Sequence, residues 1–205
     1  MDPAVIFQLI VLIFSIMIHE IAHGAMALRL GDETAQRLGR LTLNPLKHID
    51  PIGSVILPLL LLFFQSPFLI GWAKPVPYDP RNLRDPRAGS ALIAFAGPAS
   101  NIALAIIFGA LLRLPFENQI LAARFIDIII LNLFLAIFNL VPIPPLDGSK
   151  LLYYFIPPAY SRFQWTLEQY GPFLLLLFIF SGAIGIIYPI IKLLFVLIAG
   201  APLQL

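Results

Sequence analysis

The sequence predicts an all-α membrane protein whose helices cross the bilayer as a polytopic bundle. Of its 205 residues, 60% are hydrophobic and only 12% are charged, whereas globular proteins average about 25% charged residues. Apolar runs of about 20 residues, the length that a helix needs to cross a bilayer, recur along the chain. We expect one membrane domain over residues 1–205, with a core at residues 4–152 and a C-terminal membrane segment at residues 172–199.

Three segments are apolar and long enough to be spanning helices: residues 4–28, 88–112 and 121–140. The first has no basic region before it and no cleavage site that would spare the polar residues at its end. We therefore expect it to remain in the working protein rather than to be a signal peptide. Residues 172–199 are apolar again, but Gly182, Gly185 and Pro189 can break a helix there.

Residues 52–70 are also apolar, but Pro58 and Pro67 interrupt them. They either cross the bilayer or enter it and return to the same face as a re-entrant segment. Eight basic residues lie in the flanking loops, residues 29–50 and 71–87, and the re-entrant arrangement places both loops on one face. Because an excess of basic residues marks the cytoplasmic face, we predict the re-entrant arrangement, with the amino terminus outside.

A short β-hairpin is predicted in the first of these loops. Residues 39–44, Gly-Arg-Leu-Thr-Leu-Asn, alternate between polar and apolar side chains as a strand does. Such a strand could offer its edge to an extended peptide, because strand addition satisfies the backbone of both partners.

Two histidines and a glutamate occur near the end of the first span, in the motif His19-Glu20-Ile21-Ala22-His23. Ionisable side chains in lipid are costly, so by default they indicate a functional site. Residues at i and i+4 share a helix face, so both histidines can bind one metal ion, with Glu20 beside them to polarise a metal-bound water. Because the chain has no cysteine, zinc would have to be bound by His, Asp, Glu and water.

The third metal ligand has two candidates, His48 and Asp147. At about 1.5 Å per residue, His19 lies roughly 22 Å into a hydrocarbon core about 30 Å thick. If residues 52–70 are re-entrant, the third span runs parallel to the first, and Asp147 reaches the same depth in a proline-rich break. Irregular backbone is tolerated there if it lines a wet cavity. We therefore predict one zinc ion on His19, His23 and Asp147, nearer the cytoplasmic face.

Two motifs in this order resemble the site-2 protease family, intramembrane zinc metallopeptidases of peptidase family M50. They are His19-Glu20-Ile21-Ala22-His23 and Asn139-Leu140-Val141-Pro142-Ile143-Pro144-Pro145-Leu146-Asp147-Gly148. Residues 95–101 and 71–77 resemble further family segments, so that the similarity covers residues 5–152. The resemblance implies that His19, His23 and Asp147 bind zinc and that Glu20 is the general base and later the proton donor. It also implies that Asn139 steadies the oxyanion.

The resemblance further implies a substrate that is itself a transmembrane segment, unwound and cut within the membrane. We expect a zinc endopeptidase with lipid and such a substrate as partners, in a multi-pass protein of a prokaryotic cell membrane. A formal charge of +2 is too small to indicate nucleic-acid binding. The alternatives are a membrane zinc transporter and a non-catalytic metal-binding scaffold. In the transporters a similar motif tends to carry a proline and a further acidic residue, where this chain has Ala22 and Gly24.

Overall fold

The computed structural model describes residues 3–56, 60, 63, 74–115 and 118–200. Helices dominate these ranges, together with short 3₁₀ and π turns. The α-helices are α1 (Pro3–Arg29), α2 (Thr34–Arg37), α3 (Pro86–Leu112), α4 (Gln119–Asn139), α5 (Asp147–Phe155), α6 (Ser161–Phe180) and α7 (Ile187–Ala199).

Three of these helices, α1, α3 and α4, are long and apolar enough to cross a membrane. A fourth crossing is possible if Pro158–Phe180 and Ala183–Ala199, which are bent by 73° relative to each other, count as one broken span. Large apolar side chains face outward from them; Ile10 and Phe14 of α1, for example, are nearly half exposed. Such exposure suits contact with lipid and would be costly in water.

Side-chain caps determine where two of the spans begin. The carboxylate of Asp85 accepts hydrogen bonds from the first backbone N–H groups of α3, where Pro86 occupies the first turn. The side chain of Asn118 does the same for α4. Both caps satisfy N–H groups that a helix start leaves without partners.

Helices α1 and α4 run in the same direction. Gln8 Nε2 lies 3.2 Å from Asp127 Oδ1, and further along both helices Asn132 Nδ2 donates to Ser15 Oγ at 3.0 Å. The paired residues rise in number together along both helices, which is the parallel arrangement that brings the end of α4 to the depth of His19.

Helix α3 packs against both α1 and α4 and runs antiparallel to α1, since His19 contacts Asn101 whereas His23 contacts Ile93. On the same side of the bundle, Ala27 near the end of α1 packs with Leu83, just before α3. The chain between α1 and α3 therefore leaves and returns at one end of the bundle. Of the predicted re-entrant segment, residues 57–59, 61–62 and 64–70 lie outside the described residues, and Pro51–Ile56 forms a short π-helix.

The C-terminal helix completes the apolar core. Seven buried side chains from α3, α4 and α7 form one cluster: Ala105, Ile129, Leu133, Ile187, Ile191, Phe195 and Ala199. The break between α6 and α7 occurs at Gly182, whose positive φ of 78° suits a residue without a Cβ. Residues 172–199 therefore form parts of two helices joined at an angle.

The predicted β-hairpin is wrong, because residues 39–44 form a turn followed by bends and the described residues contain no strand. The backbone N–H of Arg40 donates to Ala35 at 2.9 Å, which closes the end of α2 and turns the chain. The Asn44 side chain accepts from the N–H of Leu46 and caps the short 3₁₀ helix Pro45–Lys47. These local hydrogen bonds take the place of the hydrogen bonds between two strands that the alternating pattern predicted.

Candidate metal centre and active site

The two histidines of α1 lie on successive turns of one face. Their ring centroids are 4.6 Å apart and the rings meet edge to face. The Nε2 atoms of His19 and His23 lie 3.0 Å and 3.3 Å, respectively, from Oδ2 of Asp147. The structure thus brings together three side chains that are up to 128 positions apart in the chain.

Asp147 reaches the histidines because the chain reverses tightly after α4. The N–H of Ile143 donates to Val141 at 2.8 Å and the N–H of Leu146 to Ile143 at 2.9 Å, after which α5 begins at Asp147. A Cβ at Gly148 would collide with the carbonyl oxygens of Leu140 and Val141. The glycine therefore lets the start of α5 pack directly on the end of α4.

Hydrogen bonds at the far side of each ring determine which nitrogen faces the site. His19 Nδ1 lies 2.6 Å from Asn101 Oδ1, and His23 Nδ1 lies 2.6 Å from the carbonyl oxygen of Ile93. Both partners are acceptors, so each ring in its neutral form carries its proton on Nδ1 and has the Nε2 lone pair on the side of Asp147. This is the arrangement that metal-binding histidines need.

The amide of Asn101 is itself oriented by a buried polar network across α1, α3 and α4. Its Nδ2 donates to Asn132 Oδ1 at 2.9 Å and to the carbonyl of Ser15 at 3.4 Å. Asn132 in turn donates to Ser15 Oγ and to the carbonyl of Ile128. Both asparagines are fully buried. Asn101 therefore joins three helices and also orients His19.

The backbone of α3 passes directly beside the two imidazoles at Gly97. A Cβ at this position would lie 2.5 Å from Nε2 of both His19 and His23. Only a residue without a side chain leaves the space in front of these nitrogens open.

The three side chains fit a zinc ion. In a tetrahedral site with bonds of about 2.0–2.1 Å, neighbouring ligand atoms are about 3.3 Å apart, close to the separations of 3.0 Å and 3.3 Å from Asp147 to the imidazoles. Among the described His, Asp and Glu residues, these three form the group whose ligand atoms converge, all within 4.8 Å of one another. Two imidazoles and a carboxylate are also a donor set that zinc prefers.

Glu20 and Asn139 both line the cavity of about 230 Å³ that contains the three converging side chains. Glu20 Oε2 accepts a hydrogen bond from the backbone N–H of Val76 at 2.7 Å. Asn139, the last residue of α4, donates to the carbonyl of Leu135 at 2.9 Å. Its second N–H has no acceptor within the part of the chain that the structure describes.

His48, the other candidate for the third ligand, lies outside this cluster. It is buried, and its Nε2 lies 2.9 Å from the carbonyl oxygen of Thr42. The imidazole therefore stabilises the loop after α2.

Val76, Tyr78 and Lys150 also line the cavity, and the sequence analysis assigned none of them a role. Lys150 follows Asp147 by three positions on α5, so helical spacing could have indicated it. Its Nζ forms an ion pair with Glu168 at 2.7 Å. Val76 contacts Glu20 through its backbone, which no pattern of side chains predicts.

The sequence is also similar to those of known proteins. The sequence model of the family described as Peptidase family M50 matches residues 117–178. YwhC of Bacillus subtilis (strain 168) is 38% identical over 197 residues, which cover 91% of this chain and 86% of the relative. Rip2 of Mycobacterium tuberculosis (strain H37Rv) is 33% identical over 168 residues, which cover 80% of this chain and 63% of the relative. Rip2 of Mycolicibacterium smegmatis is 29% identical over 175 residues, which cover 84% of this chain and 66% of the relative. The words zinc metalloprotease stand in the names of all three. No solved structure gives a significant match.

Proposed function

The chain belongs to peptidase family M50, and we propose that it is a zinc metalloendopeptidase that cleaves peptide bonds within transmembrane segments of other proteins. The observation that carries the proposal is the convergence of His19, His23 and Asp147 in one cavity with Glu20, beside helices that are long enough to cross a membrane. The same residues were predicted from the sequence, and their roles remain part of this proposal.

His19, His23 and Asp147 would hold the ion. When bound, zinc supplies Lewis acidity that makes a water nucleophilic near neutral pH and polarises the scissile carbonyl. The protein orients the two imidazoles, because His19 Nδ1 bonds to Asn101 and His23 Nδ1 bonds to the carbonyl of Ile93. Gly97 has no side chain, so the space in front of both Nε2 atoms stays open.

Glu20 acts as the general base. Its Oε2 is held by the N–H of Val76, and the other oxygen accepts no hydrogen bond from the described residues. That oxygen takes a proton from the attacking water as the new C–O bond forms, and returns it to the amide nitrogen as the C–N bond breaks. The remaining proton of the former water then passes from the new carboxyl group to the amine, so the products are a carboxylate and an ammonium group.

Asn139 stabilises the negative charge that develops on the carbonyl oxygen. Its unbonded N–H is available to donate at the cavity wall, while its bond to Leu135 fixes the amide. A preoriented donor at such a position lowers the barrier more than it strengthens substrate binding.

A transmembrane substrate would have to unwind near the site, because the peptide groups of an intact helix are bonded internally. We place the site nearer the cytoplasmic face, since both loops that flank α1 and α3 at this end are basic. Water would reach the cavity from the same side, past residues 74–79, which have no regular secondary structure.

The test compares the wild type with Glu20→Gln, and with Glu33→Gln as a matched control at an exposed glutamate. Each purified protein is loaded with zinc and given transmembrane peptides, and fragments are measured by mass spectrometry. We expect Glu20→Gln to keep one zinc ion and to lose at least about 100-fold in cleavage rate. Cleavage at the wild-type rate by Glu20→Gln would reject this mechanism. Zinc flux into liposomes without peptide cleavage would favour a zinc transporter. Zinc binding with neither cleavage nor flux would favour a non-catalytic scaffold.

A further inference from the structure

We infer that Arg40 is a positioning residue for Glu20 and acts through the single peptide group that joins Pro75 to Val76. This inference rests on the proposed function, in which Glu20 is the general base. It assigns a role to a basic loop residue that the catalytic mechanism above does not use.

Arg40 is a buried cation, only 7% exposed. Its guanidinium donates to the carbonyl oxygens of Lys47, Lys74 and Pro75, the last two at 2.9 Å and 3.1 Å. No carboxylate among the described residues forms an ion pair with it. A buried guanidinium is costly unless its N–H groups stay hydrogen-bonded. These hydrogen bonds therefore hold Lys47, in the loop after α2, against the segment that contains Lys74 and Pro75.

The peptide group between Pro75 and Val76 lies between this cation and the catalytic carboxylate. Its carbonyl oxygen accepts from Arg40 Nη2 at 3.1 Å, and its N–H donates to Glu20 Oε2 at 2.7 Å. A trans peptide is planar, with C=O and N–H on opposite edges. Fixing the oxygen therefore fixes the direction of the N–H that Glu20 accepts.

Packing holds the same segment from other sides. The N–H of Lys74 donates to the carbonyl of His48 at 2.9 Å. Val76 is buried, and a Cβ at Gly24, one turn after Glu20, would lie 2.8 Å from Val76 Cγ1. Val76 thus fits closely against α1, and the Arg40 contacts determine how its peptide plane is rotated.

The charge of Arg40 also affects the peptide group between Pro75 and Val76. A cation on the carbonyl polarises the peptide and strengthens its N–H as a donor, because hydrogen bonds in a chain reinforce one another. Loss of the guanidinium would free the peptide plane to rotate and leave Glu20 without its fixed donor, while the three zinc-binding side chains would keep all their contacts.

The experiment compares Arg40→Ala with Arg37→Ala, which removes the same charge from an exposed side chain paired with Glu33. For Arg40→Ala we expect kcat to fall about 10–100-fold, the loss that a misplacement of about 1 Å produces. KM should stay within about twofold, because substrate contacts are kept, and one zinc ion should remain bound. Amide hydrogen exchange at Val76 should be faster than in the wild type. Arg37→Ala should match the wild type in all four measurements.

A rescue experiment and one further variant keep the inference testable. Methylguanidinium added to Arg40→Ala should restore part of kcat, and it should restore none in Glu20→Gln. If Arg40→Ala does not fold, Arg40→Lys is used instead. The lysine ammonium lacks the planar fork of the guanidinium and cannot donate to all three carbonyls, so this variant should show the same fall in kcat. A wild-type kcat with unchanged Val76 exchange, or loss of zinc together with kcat, would overturn the inference. If the wild type itself cleaves no peptide, the proposed function fails, and Val76 exchange alone still decides whether Arg40 holds the peptide group.

Discussion

His19 Nδ1 lies 2.6 Å from Oδ1 of Asn101, a side chain on the neighbouring helix that is 82 positions further along the chain. The bond connects the first predicted metal ligand to the buried amide network of α1, α3 and α4. Both groups lie in membrane-length helices, where polar side chains without partners are costly. The fold and the metal site therefore depend on the same contact.

Replacing Asn101 with Ala should weaken zinc binding without removing a ligand. The imidazole of His19 would lose the acceptor that fixes its tautomer, and such outer partners typically contribute about 10–100-fold in metal affinity. Competition with a chromogenic chelator measures the change. Ser100→Ala is the matched control, because among the described residues the Ser100 hydroxyl bonds only to the carbonyl of Gly97 on its own helix. Equal zinc affinity in both variants would show that the Asn101 contact does not orient the ligand.

Asp147→Ala and His48→Ala separate the two candidates for the third ligand. The carboxylate of Asp147 lies 3.0 Å and 3.3 Å from the two Nε2 atoms, whereas His48 bonds to a loop carbonyl. We expect Asp147→Ala to lower zinc affinity by more than about 100-fold, the upper end of the effect of an outer partner. His48→Ala should bind zinc as the wild type does. The reverse ranking in metal analysis would assign the third ligand to His48.

Gly97→Ala should obstruct the site sterically. The new methyl group would lie 2.5 Å from Nε2 of both histidines, closer than any real Cβ contact, and the neighbouring atoms belong to rings fixed by Asn101 and Ile93. We expect zinc affinity to fall and helical content by circular dichroism to stay unchanged. Gly185→Ala is the control, because a Cβ there meets nothing within 4 Å. Full zinc affinity in Gly97→Ala would mean that the imidazoles can move apart at little cost.

Hydrophobic length and motif spacing were sufficient to predict the spans. The predicted segments 4–28, 88–112 and 121–140 correspond to α1, α3 and α4 within two residues at each end. The candidate ligands could be chosen because helical spacing and helix direction constrain depth strongly once a chain is confined to a bilayer.

Contacts that depend on the backbone could not be predicted in this way. The bond from Val76 to Glu20 uses a main-chain N–H, which any residue except proline could supply. The strand predicted at residues 39–44 failed for a related reason, because Arg40 turns inward to bind loop carbonyls. Asn132 could have been singled out from the sequence, because an amide in an apolar helix requires a hydrogen-bond partner. The sequence alone does not identify that partner.

Asp32 should make the stability of the protein depend on pH in acid. This carboxylate, fully buried just after α1, accepts from Asn82 Nδ2 at 2.7 Å, from the N–H of Asp79 at 2.8 Å and from Thr34. Burial opposes ionisation, but these hydrogen bonds outweigh it and hold the pKa of Asp32 below its usual value. A group with a lowered pKa in the folded state stabilises the protein above its unfolded pKa, and this contribution is lost as the pH falls through the folded pKa.

Asp32→Asn should therefore lower the free energy of unfolding at pH 7 by about 1–3 kcal/mol, because an amide cannot accept from all these donors. The difference from the wild type should shrink as the pH falls below the usual range for aspartate, since the wild type then loses the same charge. Thermal unfolding in detergent, followed by circular dichroism from neutral pH into acid, measures both effects. Glu33→Gln, at the exposed neighbour, should follow the wild-type curve. A constant gap between Asp32→Asn and the wild type at every pH would show that the hydrogen bonds stabilise the charged and the neutral carboxyl equally.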